Sequence, residues 1–443
     1  MFTLALRSIR KRPGRFTATL LAAFLGAGIV MAFTSLGDTA SAPGVDDTSA
    51  ESLGVTSDVV GGYGTLLVFF AVASTLTVNV RQRAEEIGLL RETGATPAQI
   101  KRMVVGEAAV VSLIGSLLAI GPAVLGGRTL LDLYKDTDQV APGVDHVFGS
   151  FSLSLGVIMT VVASAGAAFL AVRRATRAAA GTARAGGRGR KAAGAAALVV
   201  GAAGISATFA MERTAPALMA APAYGAILLS VGLALLSPGL LRGLLDRSRG
   251  LTTAGASGFL GAHTLRGRAD QLAGVFLPLI VFTGMATATL YMQAIETDAV
   301  TASGMAKSVG DKNLETVNLV AVGVIVTFSC LMLVNSLYAA TAYRTREFGQ
   351  QRLAGATPGQ VLRAVGVEGL AITVTGVVLG TLAAGAGILP FTRVRTGSYA
   401  LPVGPGIWIA VVGVAVAATF GASLLTTLRV LRTPAVHAVA VAA

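Results

Sequence analysis

Apolar stretches of about 20 residues recur along this chain and are separated by short polar segments. Such a stretch is long enough to cross the ~30 Å hydrocarbon layer of a membrane as an α-helix, which bonds all its backbone polar groups internally. The stretches lie near residues 16–36, 59–80, 103–127, 150–172, 192–210, 216–241, 272–293, 316–338, 364–391 and 403–428. The pattern predicts an all-α integral membrane protein with about ten transmembrane helices and short extracellular loops.

Composition agrees with a membrane location. Hydrophobic residues make up 53% of the 443 residues, charged residues only 13%, and the mean hydropathy is +0.73. A soluble protein has about a quarter charged residues, so the soluble class is excluded. The net charge of +13 does not indicate nucleic-acid binding, because its basic residues lie in short segments beside apolar stretches, where they orient the chain and contact anionic lipid.

The basic segments also predict the orientation. If the N-terminus is inside, most of the 35 Lys and Arg residues lie in cytoplasmic segments, as the positive-inside rule requires. An even number of spans then places both termini in the cytoplasm. The first apolar stretch is longer than a signal-peptide core, so it is predicted to be a retained span.

One polar segment occurs twice. The segment that begins at Glu85 returns 261 positions later at Arg346, and the two copies align without a gap. Identical pairs include Glu86/Glu347, Gly88/Gly349, Arg91/Arg352, Gly94/Gly355, Ala95/Ala356, Thr96/Thr357, Pro97/Pro358, Gln99/Gln360, Arg102/Arg363 and Glu107/Glu368. We therefore predict a four-span repeat over residues 1–177, a basic linker with two connecting spans over 178–257, and a second four-span repeat over 258–443. This 4+2+4 order keeps the repeats in one orientation, as a pseudo-two-fold axis along the membrane normal requires.

Within each copy the residues predict a sharp corner between two helices. Gly94 and Gly355 suit the left-handed position that follows a helix C-terminus. Thr-Pro-x-Gln then provides an N-cap, a proline at the first helical position and a glutamine that can complete a capping box. A short charged helix is thus expected to join the next span through a stiff corner.

At these residues the chain resembles an FtsX/MacB-type (type VII) ABC transporter permease, in the ten-span form with two FtsX-like repeats. The family pattern of Glu-Ile-Gly, Leu-Arg, Gly-Ala and a Gln-containing helix start is matched from Glu86 to Gln99. The second copy has Phe348 in place of Ile87 and Gln351 in place of Leu90. The resemblance covers nearly all of the chain and implies a multi-pass protein of the bacterial plasma membrane.

The resemblance implies that the short charged helices are coupling helices, which bind a separate P-loop ATPase subunit. The residues that it assigns to ATPase-partner binding are Arg83, Glu86, Gly88, Arg91, Gly94, Ala95, Arg344, Glu347, Gly349, Arg352, Gly355 and Ala356. This chain has no Gly-x-x-x-x-Gly-Lys-Ser/Thr phosphate loop. ATP and Mg²⁺ are therefore expected in the partner, of which two copies are expected for two coupling helices.

Glu107 and Glu368 are the acidic residues that come closest to the centre of a span, about one turn inside the third and ninth spans. They have two interpretations. Each carboxylate could serve only as a hydrogen-bonding group near the inner membrane surface, or it could take part in coupling or gating.

The expected substrate follows from the outside of the protein. Relatives that act far from the membrane usually carry a large extracytoplasmic domain, whereas the outer segments here are short. This difference favours export or extraction of an amphiphilic substrate such as a lipid, an antibiotic or a peptide.

Two other functional classes are compatible with parts of the sequence to different degrees. An ion-coupled secondary transporter also has internal repeats, and it is the alternative function. An enzyme is not expected, because His146, His263 and His437 are scattered over different segments without metal-ligand spacing or a nucleophile and base pair.

Overall fold

The computed structural model describes residues 17–58, 75, 88–90, 92–179, 186–213, 218–247, 256–302 and 344–436, and part of 312–337. All regular secondary structure in these residues is helical. The helices are α1 (Thr17–Ala40), α2 (Pro97–Asp136), α3 (Ser150–Ala179), α4 (Gly186–Ala207), α5 (Ala220–Arg247), α6 (Ala256–Ala302), α7 (Thr345–Leu353), α8 (Pro358–Thr396) and α9 (Gly406–Leu431). A further helical segment covers residues 47–58.

Within the described ranges, eight helices are long and apolar enough to cross a membrane, namely all of α1 to α9 except α7. The predicted all-α membrane fold is confirmed. The predicted span 59–80 lies almost wholly outside the described residues, and 316–338 is described only in part. The number ten therefore stays a prediction.

The chain forms two compact units. The first contains α1, α2 and α3 together with the described residues of 304–331, and the second contains α4 to α9. In the first unit α2 packs along both α1 and α3, around a small core of Ala27, Met31, Ala119 and Ala123. The repeats were predicted from sequence similarity, whereas these units are defined by packing, so the repeat boundaries stay a prediction.

In the second unit α6 is the central helix. It packs against α5, α8 and α9, while α4 packs mainly on α5. A buried cluster that includes Tyr291, Met292 and Phe391 fills the space between these helices. The connecting pair α4 and α5 is therefore part of the second unit.

The helices of the predicted third and ninth spans extend well beyond their apolar cores. Helix α2 has 40 residues and α8 has 39, so each is about 60 Å long, roughly twice the hydrocarbon thickness. The predicted limits 103–127 and 364–391 mark only the apolar part of each helix, because hydropathy does not report where a helix continues beyond it. Each helix thus runs without a break from its capped corner through the whole apolar stretch.

Glycines allow several of these helices to approach at backbone distance. A Cβ on Gly380 of α8 would lie 3.0 Å from the Gly284 nitrogen and the Ile280 oxygen of α6. A Cβ on Gly201 of α4 would lie 2.9 Å from the Gly225 oxygen of α5. The hydrophobic effect does not drive helices together in lipid, so the close van der Waals packing that small residues allow stabilises such crossings instead.

Candidate functional site

Both predicted corners are present, and their geometry is the same. Thr96 begins α2 with φ −71° and ψ 151°, and Thr357 begins α8 with φ −75° and ψ 152°. In each corner the threonine nitrogen donates to the glutamine Oε1, at 2.9 Å for Gln99 and 2.8 Å for Gln360. The backbone nitrogen of the glutamine in turn donates to the threonine Oγ1, at 3.3 Å in both corners. The two predicted capping boxes are confirmed.

The glycines before these caps are also as predicted. Gly94 has φ +93° and Gly355 has φ +96°, a left-handed conformation that costs a residue with a Cβ about 1–2 kcal/mol. Ala95 N donates to Leu90 O and Ala356 N donates to Gln351 O, each at 2.9 Å. The preceding helix is therefore closed by the same hydrogen bond in both copies, and the chain leaves it in the same direction.

In the second corner, helix α7 is attached to α8 through Arg344. The Arg344 guanidinium donates to the Glu368 carboxylate of α8 and to both oxygens of Glu347, at 3.2 and 3.3 Å. Burial alone would lower the pKa of Arg344, but the carboxylates of Glu368 and Glu347 outweigh it and raise this pKa. The arginine therefore stays charged, and the pair compensates two charges that would be costly to bury alone.

Phe348 provides the apolar contact of α7. Its side chain is 2% exposed and forms a buried cluster with Val361 and Val365 of α8. Val430 and Leu431, at the end of α9, pack against the same cluster. The Arg344 guanidinium lies 4.9 Å from the centre of the Phe348 ring, within the range of a cation–π contact.

Arg352 binds the end of α9. Its Nη1 donates to the carbonyl oxygens of Leu431, at 3.2 Å, and Thr433, at 2.8 Å. Carbonyls at a helix C-terminus have no partner within the helix and carry partial negative charge, so a guanidinium satisfies and stabilises them. Arg352 thus caps the C-terminal end of α9.

Other residues assigned to the second coupling helix are placed differently. Gly349 is buried, Glu347 and Ala356 are half-buried, and Gly355 is exposed. Gln350, Leu353 and Ala354 are exposed on the opposite side of α7, with 56% of Leu353 accessible. Of these exposed residues of α7 and the turn that follows it, the resemblance assigned only Gly355 to partner binding.

The first corner is described in part. Gly88, Gly94 and Ala95 lie within the described residues, and Gly94 is exposed. Arg83, Glu86 and Arg91 lie outside them. Glu107 of α2, which matches Glu368 in sequence, is buried with 1% of its surface exposed. The prediction that these residues bind a partner is a matter of function and stays a prediction.

The sequence did not reveal all of this arrangement. Phe348 entered only as a replacement for Ile87, although its spacing of four from Arg344 and Arg352 places the three on one helical face. The contact of Arg352 with the Leu431 and Thr433 carbonyls could not be predicted from sequence, because every residue has a backbone carbonyl. Among the described residues no group of three or more His, Cys, Asp or Glu could hold a metal ion.

A comparison with known families decides the classification. The model described as FtsX-like permease C-terminal matches residues 59–180 and 319–435, which together exceed half of the chain. The chain belongs to the FtsX-like permease family. Each matched region contains one corner, so the corner is common to both copies of the family domain. Membership in an ABC transporter permease family does not favour the ion-coupled carrier.

Curated relatives of this FtsX-like permease are exporters. It is 34% identical over 105 residues to the pyoverdine export ATP-binding/permease protein PvdT of Pseudomonas aeruginosa, a match covering 24% of this chain and 14% of the relative. It is 33% identical over 109 residues to the protein of the same name from Pseudomonas fluorescens, covering 24% of this chain and 15% of the relative. The match thus spans about a seventh of either relative.

Proposed function

We propose that this chain is the permease subunit of an ABC transporter, which couples ATP hydrolysis by a separate P-loop ATPase subunit to export or extraction of an amphiphilic substrate. The substrate class is a lipid, an antibiotic or a peptide. The protein lies in the bacterial plasma membrane with both termini in the cytoplasm. ATP and Mg²⁺ bind to the partner, and one ATPase copy binds each corner.

The observation that carries this proposal is the equality of the two corners. The same caps, the same left-handed glycine and the same closing hydrogen bond occur at Thr96 and at Thr357. Two copies of one partner need two copies of one docking geometry, and residues that serve only as solvated connectors do not. The family membership and the printed names of the relatives, which combine export with ATP binding, support the same interpretation.

Glu368 supports a mechanical role for the corner. It belongs to α8 but is bonded to Arg344, next to the first residue of α7. A displacement of α7 by the ATPase would therefore be transmitted directly to α8 through this ion pair. We assign Glu368, and Glu107 at the matching position of α2, to coupling or gating within this proposal.

The proposal is tested by co-purification with a candidate P-loop ATPase. We expect the native chain to retain two ATPase copies per permease, counted by native mass spectrometry, and to export substrate from proteoliposomes only when the ATPase can hydrolyse ATP. The variant Leu89→Asp with Leu353→Asp changes two exposed corner residues and should lose the ATPase while its size-exclusion profile is unchanged.

Glu51→Gln is the matched control, because this exposed residue lies in the segment after α1 rather than in a corner. It should bind the ATPase normally. Failure of the native chain to bind any candidate ATPase, together with substrate movement driven by an ion gradient, would reject the proposal in favour of the ion-coupled carrier.

A further inference from the structure

Arg344, Phe348 and Arg352 form one continuous face of the second corner. They are spaced by four residues, so they lie above one another along α7. Each contacts a different part of the second unit: Arg344 contacts Glu368 of α8, Phe348 packs on α8 and the end of α9, and Arg352 binds the end of α9. We call these three residues the clamp.

We propose that the clamp makes α7, α8 and α9 move as one body, and that the ATPase contacts only the opposite face of α7. This inference rests on the proposed function, since it concerns how the corner transmits a displacement. It assigns Arg344 and Arg352 as positioning residues inside the chain rather than as partner contacts. The partner surface is then Gln350, Leu353, Ala354 and Gly355, all of which are exposed.

The contacts of the clamp explain why it transmits motion. The Arg344 and Glu368 side chains are only 10% and 11% exposed, so separating them would leave two charges poorly solvated. Phe348 is enclosed, and Arg352 satisfies carbonyls that α9 cannot satisfy itself. Because these contacts span two turns of a nine-residue helix, α7 cannot tilt or slide on α8 without breaking at least one of them.

Arg352 shows most clearly that sequence and geometry assign different roles. It occurs in both copies, at Arg91 and Arg352, which favours a contact with a common partner. The structure instead directs its guanidinium to Leu431 and Thr433. A charged group that closes the last helix links the ATPase-facing helix to the C-terminal end of the repeat, so pushing α7 also pushes α9.

Two groups of variants separate the clamp from the partner surface. One clamp variant is Arg344→Gln with Glu368→Gln, which removes both charges of the buried pair and leaves the Glu347 carboxylate, 28% exposed, in place. The other is Arg352→Ala. The surface variants are Gln350→Ala and Leu353→Ser. Each purified protein is assayed with the candidate ATPase for complex formation and, in proteoliposomes, for the number of molecules of a fluorescent phospholipid exported per ATP hydrolysed.

We expect the clamp variants to bind the ATPase as the native chain does but to export about tenfold fewer molecules per ATP, a loss of coupling rather than of binding. The conservative changes Arg344→Lys and Arg352→Lys keep the positive charge beside Glu347 and Glu368 and beside the α9 carbonyls, so each should keep part of the native ratio. The surface variants should weaken ATPase binding while each complex that forms keeps its normal ratio.

Two results would overturn the clamp. One is normal export per ATP in both clamp variants, and the other is loss of ATPase binding in Arg352→Ala with normal binding in Gln350→Ala and Leu353→Ser. Should the double variant fail to fold, Arg352→Ala decides alone, because this side chain lies at the end of α7 and its hydrogen bonds go to the backbone carbonyls of Leu431 and Thr433. Failure of the proposed function is distinguishable, since the native chain itself would then not bind an ATPase.

Discussion

Helices α2 and α8 occupy matching positions in the two repeats, and their two ends compare differently. At the N-terminal end each begins with a capping box whose hydrogen bonds agree within 0.1 Å between the copies. At the C-terminal end the matching residues are Tyr134 and Arg395, 261 positions apart. Tyr134 shares a hydrogen bond of 2.7 Å with Thr56, whereas Arg395 forms a bidentate ion pair with Glu296 at 2.6 and 2.8 Å.

This difference indicates which end has been held constant since duplication. Both ends need only to fasten a long helix to its neighbour, and a hydroxyl pair and an ion pair both achieve that. The N-terminal ends kept the residue identity of the corner, Gly-Ala-Thr-Pro-x-Gln, as well as its geometry. The C-terminal ends have diverged in chemistry.

Packing along the helices differs as well. Of the apolar stretch of α6, 89% is buried, compared with 61% for the matching α1. Helix α5 packs against α6 in the second unit, and Gly284 and Gly380 let α6 and α8 approach closely. Ala119 occupies the place of Gly380 in the first repeat, 3.7 Å from where a Cβ on Gly28 would lie. At this crossing the second repeat is therefore the more tightly packed, whereas in the first repeat the close approach of α1 and α2 lies at Gly115, where a Cβ would be 3.0 Å from Leu20 O.

The largest effect that would distinguish the repeats is expected from bulk at this crossing. Gly380→Leu must displace backbone atoms of α6 at 3.0 Å and should cost about 3 kcal/mol or more of stability. Ala119→Leu meets looser packing and should cost less. The midpoint of thermal unfolding in nanodiscs measures both, and equal losses would show that the repeats are packed alike.

The contacts at the C-terminal ends of α2 and α8 should differ by the next largest amount in their contribution to stability. Glu296→Gln leaves Arg395 without its counter-charge at a site where both side chains are only 20% exposed, so we expect a loss of about 2 kcal/mol. Tyr134→Phe removes one neutral hydrogen bond with Thr56 and should cost about 1 kcal/mol.

A double-mutant cycle with Glu296→Gln and Arg395→Gln isolates the ion pair from other effects of each change. A coupling free energy near zero would mean that the pair does not fasten α6 to α8. The C-terminal ends of α2 and α8 would then differ in residue type but not in the stability that these residues provide.

The corners should respond equally to loss of their caps. Thr96→Ala and Thr357→Ala each remove one hydrogen bond to the glutamine nitrogen and should destabilise the start of the helix by about 1 kcal/mol. Hydrogen exchange at the amides of Gln99 and Gln360 should accelerate by the same factor in the two variants. A severalfold difference would contradict the equality of the corners.

The smallest effect is a dependence on pH that His146 should give to the first repeat. Burial lowers the pKa of His146, and Arg128 lowers it further against the opposing effects of Asp132 and Asp38. Since the unfolded chain then binds a proton more readily than the folded chain, stability should fall as pH drops below about 6.5, the ordinary value for histidine. The matching position holds Ile407, which has no titratable group.

His146→Asn should flatten this dependence without abolishing folding. The Nε2 of His146 lies 3.0 Å from Ser35 Oγ, so the amide can replace that hydrogen bond. Unfolding midpoints at pH 5 to 8 measure the effect. An unchanged slope in the variant would locate the titrating group elsewhere.

Local chemistry made the corners predictable from sequence. Gly94 with Thr96, and Gly355 with Thr357, determine their own backbone conformation within five residues, so no distant contact is needed to specify the turn. The apolar stretches likewise predicted the helices, because a lipid-buried backbone must satisfy itself. Helix limits were less well predicted, since α2 and α8 extend beyond their apolar segments.

By itself, the sequence determined the membrane class, the duplication and the two capped corners, since each depends on composition or on neighbours along the chain. Only the tertiary structure decided that Arg352 closes α9, that Glu368 binds Arg344, and that Arg395 finds Glu296. The physical reason is that a long charged side chain reaches whichever acceptor the packing brings near, and a backbone carbonyl or a carboxylate a hundred residues away leaves no mark beside it in the sequence.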